Sequence, residues 1–234
     1  MFIIEQKITK TQFKPKKAGF NGHHFFLIID ESGSMARQRL DTIGGVNTFI
    51  QEQAKAHGNS AKITIVTFEG GTVKVPIDGL PATEINDFKE YTPRGGTNLL
   101  DAIGDTFTRI NALLDKSKKK DRPSVYVQIV TDGEENMSTR YIKEEIQSMV
   151  SEVEKSDWLV SYVGANVDAF SEAGSLGISK MATSGYSTTF MDQTWKVVSS
   201  NMGKMSSMRG AQMSASEIYA SGDLYTKEEK DSIN

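Results

Sequence analysis

Short apolar runs alternate along this chain with segments of helical period, and that alternation constrains the fold more than any other feature. Five runs are bounded by turn residues, as buried strands are: Phe25–Ile29, Ile63–Phe68, Val73–Ile77, Val125–Val130 and Trp158–Val163. Between them Leu40, Ile43, Val46, Ile50 and Ala54 recur at steps of three and four, and so do Leu99, Ile103, Phe107, Ile110 and Leu114. Ile142, Ile146, Met149 and Val153 form a third such set. Strands apolar on both faces, joined by helices, build a mainly parallel sheet covered on both sides. One link differs. Glu69-Gly70-Gly71-Thr72 joins two strand-like runs directly, and paired glycines suit a tight hairpin turn. Val73–Ile77 is therefore expected as an antiparallel edge strand, where Pro76 costs no ladder hydrogen bond. The predicted class is α/β, a doubly wound, mostly parallel sheet with helices on both faces, over about residues 21–190.

Composition narrows the function classes. A chain of 234 residues buries a sizeable core without a disulfide or metal staple. It has no cysteine, which excludes a thiol nucleophile and any cysteine-based zinc or iron–sulfur site. Its net charge of −3 marks neither a nucleic-acid nor a membrane protein. No apolar run reaches the roughly 20 residues of a membrane span. The opening MFIIEQKITKTQFKPKK has no apolar core segment of a secretory signal, so a cytoplasmic location is expected. Residues 1–20 hold five Lys against one Glu and read as a basic arm. Residues 191–234 read as a C-terminal helix followed by a polar, loosely ordered tail.

Chemistry concentrates in three loops, two of them at strand ends. The run FFLII leads into Asp30-Glu31-Ser32-Gly33-Ser34, setting a carboxylate and two hydroxyls at alternate positions. VYVQIV leads into Thr131-Asp132-Gly133. Between them, Arg94-Gly95-Gly96-Thr97 delivers a hydroxyl just before a helix. The carboxyl edge of an open α/β sheet is where ligands bind. Asp30, Ser32, Ser34, Thr97 and Asp132 are therefore the candidate site, five hard oxygen donors that suit Mg²⁺ or Mn²⁺. Two carboxylates among neutral hydroxyls leave such an ion ready to accept an outside carboxylate.

At these residues the sequence resembles the von Willebrand factor A (vWA) domain family, whose metal-ion-dependent adhesion site combines D-x-S-x-S, a Thr and a second Asp. Asp30, Ser32 and Ser34 match the first element, Thr97 the second and Asp132 the third. The resemblance covers about residues 23–185. It implies a six-stranded Rossmann-like sheet, a metal at its top, and recognition of a protein partner through a carboxylate that completes the metal shell. The cysteine-free sequence resembles the stand-alone intracellular bacterial and phage members. Glu31 departs from the pattern, and with Glu134 and Glu135 nearby it is expected to weaken attraction for an acidic ligand.

Other readings compete. A helix cap or Asx turn explains DESGS by itself. A metal-dependent phosphatase or hydrolase is the enzymatic alternative, but such phosphatases place a second Asp where Ser32 stands. The turn PRGGTN has no phosphate-loop Lys, and no G-x-S-x-G elbow is present. A third reading is an assembly subunit with a purely structural metal. His23 and His24 are expected to open the first strand, away from the metal loops. His57 is expected to end a helix, where a partly charged imidazole would favour the dipole. Lys116–Arg122 reads as a solvated helix end, so nucleic acid is not the expected partner. Val198, Met202, Met205 and Met208 are expected on a last helix packed against the sheet. Thr97, flanked by Gly95 and Gly96, is the donor expected to shift most easily.

Overall fold

The computed structural model describes residues 13–165, 169–222 and 224–233. Its centre is a six-stranded sheet in the order β3-β2-β1-β4-β5-β6. The strands are β1 (His23–Asp30), β2 (Ala61–Glu69), β3 (Thr72–Pro81), β4 (Ser124–Thr131), β5 (Trp158–Ala165) and β6 (Thr183–Tyr186). Parallel pairs run β2–β1–β4–β5–β6, and β3 lies antiparallel on β2. This is the expected mostly parallel, doubly wound α/β sheet. Gly70 and Gly71 make the hairpin turn with φ of 52° and 83°, values that glycine adopts without steric cost. β3 is longer than its apolar run. Thr67 pairs with Lys74 but Ile65 with Ile77, so Val75 and Pro76 face one residue of β2 across a bulge. The bulge accommodates Pro76, which has no N–H to give.

The helices are α1 (Arg39–His57), α2 (Leu99–Lys116), α3 (Lys143–Lys155), α4 (Ala169–Ser175), α5 (Met191–Gly210), α6 (Ala215–Ala220) and α7 (Lys227–Ile233). Alternation along β1 divides the interior in two. Phe25, Leu27 and Ile29 pack with α1, α5, α6 and α7 on one face, and Phe26 and Ile28 with α2, α3 and α4 on the other. The predicted apolar stripe of α2 is buried in full, and Val198, Met202 and Met205 of α5 are buried as expected.

Two predicted positions are corrected. Leu40 is 75 % exposed and Ile142 is 59 % exposed. Leu40 stands in the first turn of α1, whose buried face is instead Thr42, Gly45, Val46, Phe49, Ile50 and Gln53. Ile142 is the N-cap residue of α3, outside its packed stripe. The loosely ordered tail is corrected too. Ile218, Leu224, Tyr225 and Ile233 are buried against the α1–α5 face. Four well-spaced apolar residues suffice to dock α6 and α7, although the segment is polar on average. Within the basic arm, Phe13 packs on the opposite core and Ala18 is buried, while residues 1–12 lie outside the described residues.

β1 and β4 are neighbours at the centre of the sheet, and the chain leaves them for opposite faces, into α1 and α3. Their carboxyl ends therefore bracket the topological switch point, where the loops diverge and open a ligand-sized gap. Asp30 ends β1 and Thr131 ends β4, so Asp132 follows directly.

Candidate metal centre

The three loops converge. Ser32 Oγ and Ser34 Oγ are 3.0 Å apart, and Ser34 donates to Asp132 Oδ1 at 2.5 Å. Asp30 Oδ1 accepts from Ser32 N–H at 2.7 Å, and its Oδ2 from Thr131 Oγ1 at 2.6 Å. Gly133 locates Thr97 in the same group. A Cβ built on Gly133 would lie 3.0 Å from Thr97 Oγ1, 3.6 Å from Ser34 Oγ and 3.7 Å from Asp30 Oδ2. The glycine leaves open a space that any side chain would occupy. All five sequence-predicted residues thus share one neighbourhood. Asp30, Ser32 and Thr97 are buried, Asp132 is half-buried and Ser34 is exposed, so the group opens to solvent on one side.

Its electrostatics are those of an incompletely neutralised pair. Burial pushes Asp30 up to about 6, against the pull of hydrogen bonds from Thr131 and Ser32, and the Asp132 charge adds to the rise. Burial also raises Asp132, opposed by hydrogen bonds from Ser34 and Gln38. Two such carboxyls side by side favour a cation between them. Among the described residues no three carboxylate, imidazole or thiol groups converge in one place. An ion here would take its remaining oxygens from hydroxyls, and this donor set fits a hard divalent cation.

Local hydrogen bonds explain why the loops hold this shape. Gly33 N–H donates to Gly95 O at 3.1 Å, and Arg94 N–H to Glu31 O at 2.9 Å, fastening the first loop to the second. Thr97 N–H donates to Asn136 Oδ1 at 2.9 Å, and Thr97 O accepts from Asn136 and Met137 N–H at 3.0 Å each. Glu135 accepts from the N–H groups of Leu100, Met137 and Ser138. Asp101, buried in α2, accepts from those of Thr139, Arg140 and Tyr141. Thr97 and the loop after Asp132 are therefore tied together. This opposes the expectation that its neighbouring glycines leave Thr97 the easiest donor to shift.

Glu31 and Glu135 do not act as free acids. Glu31 is 2 % exposed, with Oε1 accepting from Thr92 N–H at 2.6 Å and Oε2 3.3 Å from Lys74 Nζ. Lys74 is shared with Glu69 at 3.2 Å, and Arg94 pairs with Glu69 at 3.1 Å, so two cations face the two carboxylates and offset the anticipated repulsion of an acidic ligand by Glu31. Three supporting residues escaped the sequence reading. Gln38 Nε2 donates to Asp132 Oδ2 at 2.8 Å. Tyr91 donates its hydroxyl to Asp30 O at 2.5 Å, and Thr131 binds Asp30 as described. Thr131 stood in the quoted TDG string, whereas nothing in the spacing of Gln38 or Tyr91 marked them.

The histidines lie at the opposite edge of the sheet, as expected. His24 Nε2 is 2.9 Å from Thr64 Oγ1, and burial lowers this imidazole to about 3. His23 and His57 rings are 4.2 Å apart. Burial lowers His57, which works against the expected partly charged imidazole at the end of α1, and its Nε2 is 3.1 Å from Ser206 Oγ. Beside Asp132 and Gly133 is a recess of about 80 Å³. A groove of about 840 Å³ lies elsewhere, between β3 and α2, floored by Val66, Val73 and Leu113.

No family model and no curated protein matches this sequence. Solved structures do. The von Willebrand factor domain of the type V pili tip protein Mfa5 from Porphyromonas gingivalis matches with a TM-score of 0.56 at 9 % identity, over 80 % of this chain and 96 % of that one. Proximal thread matrix protein 1 of the mussel byssus, with a zinc-occupied MIDAS motif, matches at 0.54 and 13 % identity, over 79 % of this chain and 48 % of that one. Manganese-loaded Plasmodium vivax TRAP protein matches at 0.50 and 15 % identity, over 74 % and 71 %. This chain spans less than half of the mussel protein. These similarities show the vWA fold.

Proposed function

We propose that this chain is a divalent-cation-dependent protein-binding module. Asp30, Ser32, Ser34, Thr97 and Asp132 would hold Mg²⁺ or Mn²⁺, and the loops around them would select the partner. The observation that supports this reading is the convergence of Thr97, Ser34 and Asp30 on the space kept open by Gly133, with Ser32 and Asp132 joined to the group through Ser34. When bound, the ion supplies a positive centre with room for a carboxylate from the partner. The structural relatives with manganese or zinc support a divalent metal of some kind.

Three features favour binding over catalysis. Ser32 and Ser34 bond to each other, Ser34 donates to an Asp132 carboxylate that the ion would engage, and no imidazole is in reach, so no histidine base is arranged to activate a serine. The recess beside Asp132 is too small to enclose a substrate but suits a side chain presented on another protein's surface. The three tied loops give a preformed platform, which keeps the ordering cost of association low. Among the described residues no helix is long and apolar enough to cross a membrane. The reading places the protein in the cytoplasm of a bacterial or phage-infected cell, with a protein and not a nucleic acid as partner.

Affinity capture from such a cell extract, with Mg²⁺ and with chelator, tests the reading. The partner is expected to be retained with Mg²⁺, released by chelator, and not retained by Asp30→Ala. Retention that ignores both the chelator and the substitution would point to a structural metal. Metal-dependent turnover of phosphoesters would point to the enzyme.

A further inference from the structure

Asp132 is held by a residue outside the five donors. Gln38 closes the short helical turn that follows Ser32 and is 3 % exposed. Its Nε2 donates to Asp132 Oδ2 at 2.8 Å, and its Oε1 accepts from the Tyr186 hydroxyl at 3.1 Å. Tyr186 ends β6, is fully buried, and keeps its proton because burial raises it well above 10. A hydroxyl that donates can face only the oxygen of an amide. The Asp132 carboxylate only accepts and so takes the NH₂ of Gln38, and the Tyr186 hydroxyl then donates to Oε1 and holds the amide in that orientation. With Ser34 on Oδ1 and Gln38 on Oδ2, both oxygens of Asp132 have a donor that sets the carboxylate plane.

We propose that Gln38, oriented by Tyr186, is a positioning residue that sets Asp132 for a small, geometrically strict cation and so confers preference for Mg²⁺ over Ca²⁺. This rests on the metal-binding reading of the cluster. Mg²⁺ requires near-octahedral geometry at about 2.0–2.1 Å, whereas Ca²⁺ accepts looser shells at about 2.3–2.6 Å. A carboxylate freed to rotate penalises the strict ion more. A glutamine serves here where a glutamate would not, since a carboxylate at position 38 would set like charges against each other. Outer partners of metal ligands typically change affinity by about 10–100-fold.

Titration calorimetry with Mg²⁺ and with Ca²⁺, on wild type, Gln38→Met and Tyr186→Phe, tests this. Gln38→Met keeps length and apolar bulk but removes the donor; Tyr186→Phe removes one oxygen and serves if the first variant does not fold. Both are expected to lose Mg²⁺ affinity, roughly tenfold or more for Gln38→Met, and to lose Ca²⁺ affinity distinctly less. Equal losses for the two ions would mean general damage and overturn the proposal. Unchanged affinities in both variants would also overturn it. If wild type binds neither ion, the metal reading falls and the proposal with it, a result separate from either of these.

Discussion

Gly133 gives the sharpest single-residue test of the cluster, because its replacement removes space and no donor. In Gly133→Ala the new methyl would stand 3.0 Å from Thr97 Oγ1 and within 4 Å of Ser34 Oγ and Asp30 Oδ2, crowding three of the proposed donors. Loss of Mn²⁺ binding with little change in metal-free melting temperature is the expected result by calorimetry and thermal denaturation. Asp30 supports a second test through pH. Its folded-state value of about 6 lies above the ordinary 3.8, so the metal-free native state holds that proton more tightly than the unfolded chain. Ionising it costs stability, and its contribution declines as pH rises from about 4 to 6. Glu154, raised by burial to about 7, acts in the same direction. Asp30→Asn should therefore flatten only part of the dependence of the urea midpoint over that range in chelator. An identical slope in wild type and variant would contradict the burial of this carboxyl. At this scale the five candidate donors were legible because four sit at fixed offsets from the ends of β1 and β4 and Thr97 sits in a glycine turn just before α2. Gln38 and Tyr91 were not, because a supporting residue is defined by what folding brings next to it.

Between elements, the tightest seam joins α1 to α5. A Cβ on Gly45 would fall 2.1 Å from the Trp195 ring, so the two helices meet through the absence of a side chain. Gly44, one residue earlier, has nothing within 4 Å of the same position. Gly45→Ala is expected to lose about 1–3 kcal/mol or more by overpacking. Gly44→Ala should gain about 0.5–1 kcal/mol by relieving helix entropy. Urea unfolding of the pair checks the assignment, and a similar response at both positions would refute it. The strands that were legible carry sustained apolar runs. β6 was not, because Thr183-Ser184-Gly185-Tyr186 is small and polar yet entirely buried. Its short length leaves the first part of β5 without a strand partner on that side, and there the Tyr219 hydroxyl accepts from Val160 N–H at 2.7 Å and donates to Val160 O at 3.0 Å. The outer face of α1 misled for a related reason. Thr42, Gly45 and Gln53 are buried where an apolar rule selects Leu40.

Across the whole molecule, residues 17–20 and the segment from Arg209 to Ala215 fasten the side opposite the candidate metal cluster. Arg209 of α5, 1 % exposed, donates to Met213 O at 2.8 Å and Gly19 O at 3.1 Å and stacks 4.3 Å from the Phe20 ring. Asp157 accepts from Ala215 N–H and pairs with Lys17 at 2.9 Å. Removal of residues 214–234 would expose the apolar surface that Ile218, Leu224, Tyr225 and Ile233 cover, and a fall in melting temperature is expected. An unchanged value would restore the picture of a loosely ordered tail. Average polarity concealed these anchors from a sequence reading, since docking depends on a few contacts and not on composition. Residues 17–20 and the start of α6 brace the edge opposite the cluster, whereas α7 returns to the cluster's own edge, where Ile233 O accepts from Ser187 N–H at 2.6 Å. These fixed contacts mean that metal loading should leave the global fold unaltered. The most direct test of the account is Mn²⁺ titration by calorimetry of the full chain and of Asp30→Ala, with circular dichroism of both. Binding at a single class of site in wild type, abolished in a variant that keeps its secondary structure, is the predicted result. Equal Mn²⁺ affinity in the two proteins would contradict it.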